Sequence, residues 1–337
     1  MRVLELHDSF GLDHLRFTDR PEPEPGPGQV LLRMRAASLN YRDLLMIEGN
    51  YNPRQSLPLV PLSDGVGDVI ALGAGVRRVA VGDRVAPIFA QHWYGGAPDR
   101  DRLRATLGGP LDGVTAEHAV FAAESVVLVP DHLSDVEVAT LPCAALTAWS
   151  ALMHHGHLQP GETVLVQGTG GVATFALQFA VLAGARVIVT SRSDAKLEHA
   201  RTLGAWETIQ TTTTPAWGKR ALELTSGSGV DHVIEVGGAD TFAESLQAVR
   251  PGGHIAVIGV LGGTALQASL LPILMKQLRV QGVLVGHRDG FEAMNRAICQ
   301  HGMRPVLDRV FDWQDTAQAL AYLKTGSHIG KVSVRIA

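Results

Sequence analysis

The segment TVLVQGTGGVATF, residues 163–175, joins an uninterrupted apolar run to three glycines in four positions and then to a renewed apolar pattern. Read as strand, tight turn and helix, it is the unit that holds a nucleotide pyrophosphate. Gly168 makes the turn, and Gly170 lacks the Cβ that would keep a phosphate off the backbone. Gly171 adds slack, and the small Ala173 lets the helix pack on the strand. The helix opening at about Val172 then aims its free amides and the positive end of its dipole at the phosphates. A βα turn with no ligand would show the same glycines, so the context has to decide.

That context is the next strand, ARVIVT, which ends in Ser191, Arg192, Ser193 and Asp194. An acidic residue at this strand end accepts the ribose 2'-hydroxyl of NAD, whereas a 2'-phosphate calls for hydroxyls and cations. Ser191 and Arg192 stand at the strand end and Lys196 one turn into the following helix, which favours NADP(H). Asp194 swinging inward would favour NAD instead.

Other residues of chemical interest are few. Cys143 and Cys299 are the only cysteines, too few for a disulfide framework and too far apart in sequence for a four-thiolate metal knuckle. A reducing, cytoplasmic setting is expected. His154, His155 and His157 form the one histidine cluster, and their place at a helix end suits the helix dipole better than a metal. The formal charge of -4 shows no basic stripe of the kind a phosphate backbone requires, so nucleic acid is not an expected partner. Neither a targeting signal nor a membrane span is expected: MRVLELHDSF has no apolar core of signal-peptide length. The apolar region around residues 163–190 is broken by Gly170, Gly171, Gly184 and Arg186.

These residues need elements to hold them. A chain of 337 residues with 46% hydrophobic content can bury the cores of two domains. From Arg2 to about Val129 short strand-like runs alternate with Gly and Pro breaks, a β-rich pattern, with PEPEPGPG as a stiff connector. LSDVEVATLPCAALTAWSALMHHGHL reads as a helical region with Ser134 as N-cap and Pro142 interrupting it. Strands and helices then alternate: TVLVQ, a helix over about 172–183, ARVIVT, a helix over about 195–203, DHVIEV, a helix near 241–249, HIAVIGV and LRVQGVLVG. Uninterrupted Val and Ile runs between helices indicate a parallel sheet covered on both faces. A helix over about 291–299 and a strand KVSVRI close the chain, and TTTTP is a loop.

The ordered segments GTGGVA, TSRSDAKLEHARTLGA, RPGGHIAVIGV and HIGKVSVRI make the chain resemble the medium-chain dehydrogenase/reductase superfamily, and within it the zinc-independent, quinone oxidoreductase-like branch. The resemblance implies an α/β protein with a GroES-like β-rich catalytic domain (1–128), a Rossmann doubly wound parallel-sheet domain binding NADP(H) (129–286), and a C-terminal return to the catalytic domain (287–337). It implies an active-site cleft where the two meet, and a homodimer pairing through the strand 278–286. Zinc alcohol dehydrogenases carry Cys, His followed by Glu, and Cys where this chain has Asn40, Ser63 with Asp64, and Cys143. The four-cysteine lobe is also missing from residues 91–113. Asn and Ser cannot replace a thiolate and an imidazole, so no catalytic zinc is expected and Cys143 reads as a small buried residue.

Without a Lewis acid, hydride delivery to an isolated carbonyl must leave a localised alkoxide, whereas addition to an enone or quinone spreads the charge. The expected reaction is therefore NADPH-dependent reduction of a quinone or of the activated C=C of an α,β-unsaturated carbonyl. A metal-free alcohol or aldehyde oxidoreductase, or a low-turnover NADPH-binding structural or regulatory protein, are the alternatives. Tyr51 resembles the GxYP tyrosine that enoyl reductases of the superfamily use as proton donor, with Asn52 intervening before Pro53; otherwise it is a turn tyrosine. Tyr41 is a weaker candidate. By resemblance Asn40 and Thr147 contact the nicotinamide region, Val260 and Leu261 offer backbone atoms to the carboxamide, and Lys331 lies near the pyrophosphate. Trp93 and Trp149 line the substrate side or belong to the core.

Overall fold

The computed structural model describes residues 1–336. The chain divides into two compact units: Met1–Leu146 with the chain from Val285 onward, and Thr147–Leu284. The first division thus falls later than the 128/129 boundary expected from the sequence. Residues 129–146 belong with the first unit because the helix Asp135–Val138 packs on the strands Gln29–Ser38, Asp64–Leu72 and Lys331–Arg335. Arg304 adds a two-oxygen grip on Glu137 at 2.9 Å, and Ser333 Oγ donates to the Val136 carbonyl.

The first unit is built on a seven-stranded sheet. Its strands run in the order 307–312, 331–335, 29–38, 64–72, 84–87, 126–128, with 118–122 also paired to 29–38. The apolar residues Leu32, Met34, Ile47, Leu62, Val114, Val332 and Val334 form one buried cluster beneath it. The β-rich reading of this region missed the helix Tyr41–Ile47, which a reciprocal cap starts: Asn40 and Asp43 each bond the other's backbone. The last part of the chain also holds more than expected, with a strand Leu307–Asp312 and a helix Thr316–Lys324 before the closing strand.

The expected helical region after Pro130 is present. Ser134 caps it, in a box with Glu137. Pro142, with no N–H to donate, coincides with a widened π-type turn over Leu141–Ala145, and a second follows at Ser150–His155. Asp135–His155 is long and apolar enough to cross a membrane by length and composition. Of its most apolar window 78% is buried inside the protein, as in a core helix.

The second unit holds six parallel strands in the order 207–210, 186–191, 163–167, 230–235, 249–257, 279–282. The order grows outward in both directions from the adjacent pair Thr163–Gln167 and Val230–Glu235. Ligands of open α/β sheets bind beyond the carboxyl ends of the strands at such a reversal. Thr163–Gln167 is wholly buried, and the helix Gly171–Leu182 lays Phe175, Phe179 and Ala180 into the core beside it. The expected outer strand 278–286 pairs only over Arg279–Gly282, and Val285 adopts a positive φ of 51°.

At the opposite ends of these strands, His232 and His254 face each other across adjacent strands, with Nδ1 atoms 3.4 Å apart. His232 Nε2 is 2.9 Å from Glu162. Burial pushes both imidazoles below the usual histidine range, His254 to about 3, where His232, Arg279, His155 and His157 add repulsion. A depressed folded-state value means that the unfolded chain binds the extra proton, so this contribution is complete above about pH 6.5 and is lost as the pH falls toward 3. Between pH 7 and pH 5 the His254 share amounts to about 2 kcal/mol. In His254→Gln, the loss of urea stability between pH 7 and pH 5 is expected to shrink by about this amount.

Candidate active site

In the second unit, Gly168 leaves the strand end with φ +75°, and its N–H donates to Thr190 O at 2.8 Å. A Cβ there would meet open space, so it is the left-handed backbone that requires glycine. Gly170, with no side chain to cap with, precedes the twelve-residue helix Gly171–Leu182 in extended conformation, and among the described residues no side chain is seen to accept from the amides of Gly171 and Val172. A helix start bare of its own acceptors, at the winding reversal of a parallel sheet, suits an anionic ligand.

Next to it stands a network that sequence reading missed. Glu235, fully buried at the end of its strand, accepts from the Gly237 and Gly238 amides and from Thr241 Oγ1 with one oxygen. Its other oxygen accepts from Gln167 Nε2 and Ser245 Oγ. Gln167 Oε1 in turn accepts from the Val236 and Gly237 amides. The pair therefore ties together the two central strand ends and shapes the backbone after each. A buried charge this fully bonded fixes a loop. The glutamate ending DHVIEV, polar within an apolar run, was the available signal.

At the next strand end Ser191 Oγ accepts from the Ser193 amide, and Arg192 is exposed with its guanidinium unengaged among the described residues. Lys196 is half-buried and Asp194, exposed, opens the helix Asp194–Thr202. Val260 and Leu261 are exposed on a turn in which Gly263 N bonds Val260 O. Thr147 is buried. Trp149 is half-buried, edge-on to Phe179. A nicotinamide dinucleotide fits this unit. The bare amides at Gly171 and Val172 would take its pyrophosphate, and Ser191 with Arg192 would take the adenosine ribose.

In the first unit the structure brings Asn40, Ser63, Asp64 and Cys143 together, as their equivalence to metal-ligand positions requires, but around a side chain from the far end of the chain. Lys331, 3% exposed, donates from Nζ to Leu39 O at 2.7 Å and to Asn40 Oδ1 at 2.5 Å, with Asp64 Oδ2 at 3.7 Å. The pyrophosphate contact inferred for Lys331 calls for an accessible cation. Here the ammonium is buried, with two hydrogen bonds and an ion pair made within its own unit. Ser38 and Ser63 hydroxyls lie 3.4 Å from the Asp64 carboxylate, and the Cys143 amide also donates to it. Burial raises Asp64 from the ordinary carboxylate range, with Lys331 pulling the other way. Asp43, buried beside it and 3.5 Å from Arg42, is driven up to about 6 by burial. Cys143 is half-buried rather than buried; desolvation and then the Asp64 charge push its thiol far up, so it stays protonated at neutral pH.

Tyr51, 47% exposed, follows the helix Tyr41–Ile47, and the Arg42 guanidinium lies 4.9 Å from its ring centre. Arg42 is itself held by the carbonyls of Leu107 and Gly109. Asn52, the residue that breaks the GxYP pattern, accepts from the Arg54 amide and so builds the turn beyond Tyr51. The ring thus rests on a fixed cation and its hydroxyl makes no bond among the described residues. Tyr41 is exposed at the helix start. Trp93 is buried, with its indole N–H on Gly96 O, and belongs to the core.

Two family models match the chain: the alcohol dehydrogenase GroES-like domain over residues 26–131 and the zinc-binding dehydrogenase over 171–300. The chain is 41% identical, over 98% of both lengths, to a zinc-type alcohol dehydrogenase-like protein of Schizosaccharomyces pombe. It is 31% identical, over 92% of this chain and 93% of the relative, to the acryloyl-coenzyme A reductase of Metallosphaera sedula. Among solved structures, an NAD-dependent alcohol dehydrogenase superposes with a TM-score of 0.91 at 32% identity, covering 100% of both chains. The chain belongs to the medium-chain dehydrogenase/reductase superfamily, with a GroES-like domain and a Rossmann domain. It is an oxidoreductase of that superfamily. The zinc of the second model's description does not fit the residues present. An amide, a hydroxyl and an ammonium surround Asp64 and the protonated Cys143, and no group of three His, Cys, Asp or Glu among the described residues could hold a metal.

Proposed function

We propose that the protein is a zinc-independent, NADPH-dependent reductase of activated C=C bonds conjugated to a carbonyl, with quinones as acceptors of the same electronic kind. The observation that carries this reading is the buried Lys331 ammonium among Asn40, Asp64 and Cys143, where a zinc enzyme would gather metal ligands. Lacking a Lewis acid, the site is better matched to a reaction whose negative charge is delocalised as it forms. The acryloyl-coenzyme A reductase among the relatives, whose name specifies an activated C=C, supports the same chemistry.

The dinucleotide, when bound, supplies the hydride to the β-carbon of the acceptor. The protein's part is to accept the developing enolate and to protonate it. Tyr51 is the proposed donor: a phenol can pass its proton to the α-carbon, and the Arg42 guanidinium beneath the ring holds the ring in place. The decisive measurement is a cofactor-oxidation screen over enones, enoyl thioesters, quinones and aldehydes. Enones or enoyl thioesters should be turned over and simple aldehydes should not. Tyr51→Phe should lower kcat on an enone by about 10²-fold at saturating cofactor, less on a quinone whose anion collects a proton from water. A Tyr51→Phe enzyme as fast as wild type on every enone removes Tyr51 from the mechanism.

The preference for NADPH rests on Ser191, Lys196 and the unengaged guanidinium of Arg192, against the NAD dependence named for one structural neighbour. Arg192→Ala should raise the dissociation constant of NADPH about ten- to a hundredfold, the worth of one charge-assisted hydrogen bond, and leave that of NADH unchanged. Equal loss for both cofactors in a fluorescence titration would contradict it.

We also propose a homodimer formed through the outer strand Arg279–Gly282. That strand is exposed along its whole length, and Leu270, Leu271, Leu274 and Met275 from the same unit are exposed apolar residues, Leu270 at 75%. A free edge beside such a patch is a pairing surface, and a second copy related by a two-fold axis satisfies both at once. Light scattering at micromolar concentration is expected to give twice the chain mass, and Leu274→Glu to give the monomer.

A further inference from the structure

The place of Lys331 asks for an explanation beyond charge balance. A buried carboxylate needs a cation nearby, and almost any geometry would satisfy that need. Here the ammonium does more: it approaches the Asn40 carboxamide oxygen at 2.5 Å, more closely than it approaches Asp64 at 3.7 Å. The Asn40 Nδ2 group is buried and lies near enough to the Asp64 carboxylate to favour its charge, although it completes no hydrogen bond among the described residues. A carboxamide has two ends of nearly identical shape, and only its hydrogen-bond surroundings choose between them. With a fixed positive group on one side and a fixed negative group on the other, a single orientation is selected.

The rest of Asn40 is constrained in the same way. Its backbone N–H donates to Asp43 Oδ2 at 2.8 Å, and the carbonyl of the preceding Leu39 accepts from Lys331. Lys331 begins the strand Lys331–Arg335, whose neighbour in the sheet is Gln29–Ser38, the strand that leads directly into Leu39 and Asn40. The lysine is therefore anchored on a rigid element next to the residue it holds.

We infer that Lys331 is a positioning residue standing where the zinc enzymes of the superfamily carry their metal. Its ammonium, neutralised by Asp64, holds the Asn40 carboxamide in the one orientation in which it serves the reaction. The inference rests on the proposed function and, within it, on the nicotinamide contact that the family resemblance implies for Asn40.

The test uses Lys331→Met together with the double variant Lys331→Met/Asp64→Asn. The single change leaves Asp64 buried without its counter-ion and should lower stability sharply, whereas the double change removes both charges and should recover most of it. In the double variant kcat for the best acceptor of the screen should still fall roughly tenfold to a hundredfold, with KM and dinucleotide affinity near wild type, because a misoriented amide affects the reacting geometry rather than binding. A second readout needs no turnover. In protein labelled at asparagine nitrogen, the Asn40 side-chain amide should exchange slowly with solvent in wild type and rapidly in the double variant. Wild-type kcat in the double variant, or retained protection of the Asn40 amide, would show that Lys331 only balances charge. Should the double variant not fold, rapid exchange of the Asn40 amide in the wild-type protein would by itself overturn the inference. A wild-type protein that reduces no enone or quinone would defeat the functional reading, and the exchange measurement would then decide the positioning claim alone.

Discussion

A carboxylate cannot be taken out of water alone, and Asp64 is fully buried. Much of the first unit follows from that requirement. The counter-charge comes from Lys331 at the start of the closing strand, so the end of the chain has to return to the sheet that its beginning built. Once there, the strand Lys331–Arg335 pairs with Gln29–Ser38, and Val332 and Val334 join the core cluster of Leu32, Met34 and Ile47. Polar satisfaction and apolar burial thus demand the same topology.

The second unit answers a different constraint, the placement of a large anion beside a parallel sheet. Its solution is local: one glycine in the left-handed region, a helix start with bare amides, and a glutamine and a glutamate bonded across the two central strand ends. Glu235 brings a carboxylate close to the place we propose for phosphate, and its oxygens are engaged by two amides, two hydroxyls and an amide side chain. It serves the shape of the loop rather than the ligand.

What could be read from the sequence divides along the same line. Gly168, Gly170, Gly171 and the Ser134 cap are features of a few consecutive residues, and both turn and cap stand where the sequence places them. The helix Tyr41–Ile47 was overlooked because strands surround it and its signal, Asn40 with Asp43, is only four residues long. The pairing of Lys331 with Asn40 and Asp64 had no local signature at all: its members come from the two ends of the chain, and only the sheet order makes them neighbours. The same holds for the domain boundary, since the apolar pattern after Pro130 shows a helix but not which sheet it covers.

The contrast between a metal and a lysine at one point of a fold bears on what such a fold can catalyse. A divalent ion both orders its ligands and withdraws electrons from a substrate oxygen, and the two functions are inseparable in it. An ammonium on a strand can do the ordering, since it presents three directed donors and a full charge, but here those donors face Leu39, Asn40 and Asp64. In the function we propose, the ordering is kept and the electrophile given up, which matches the site to acceptors that stabilise their own negative charge. The preference for conjugated acceptors over isolated carbonyls that we propose then follows from where one lysine spends its hydrogen bonds.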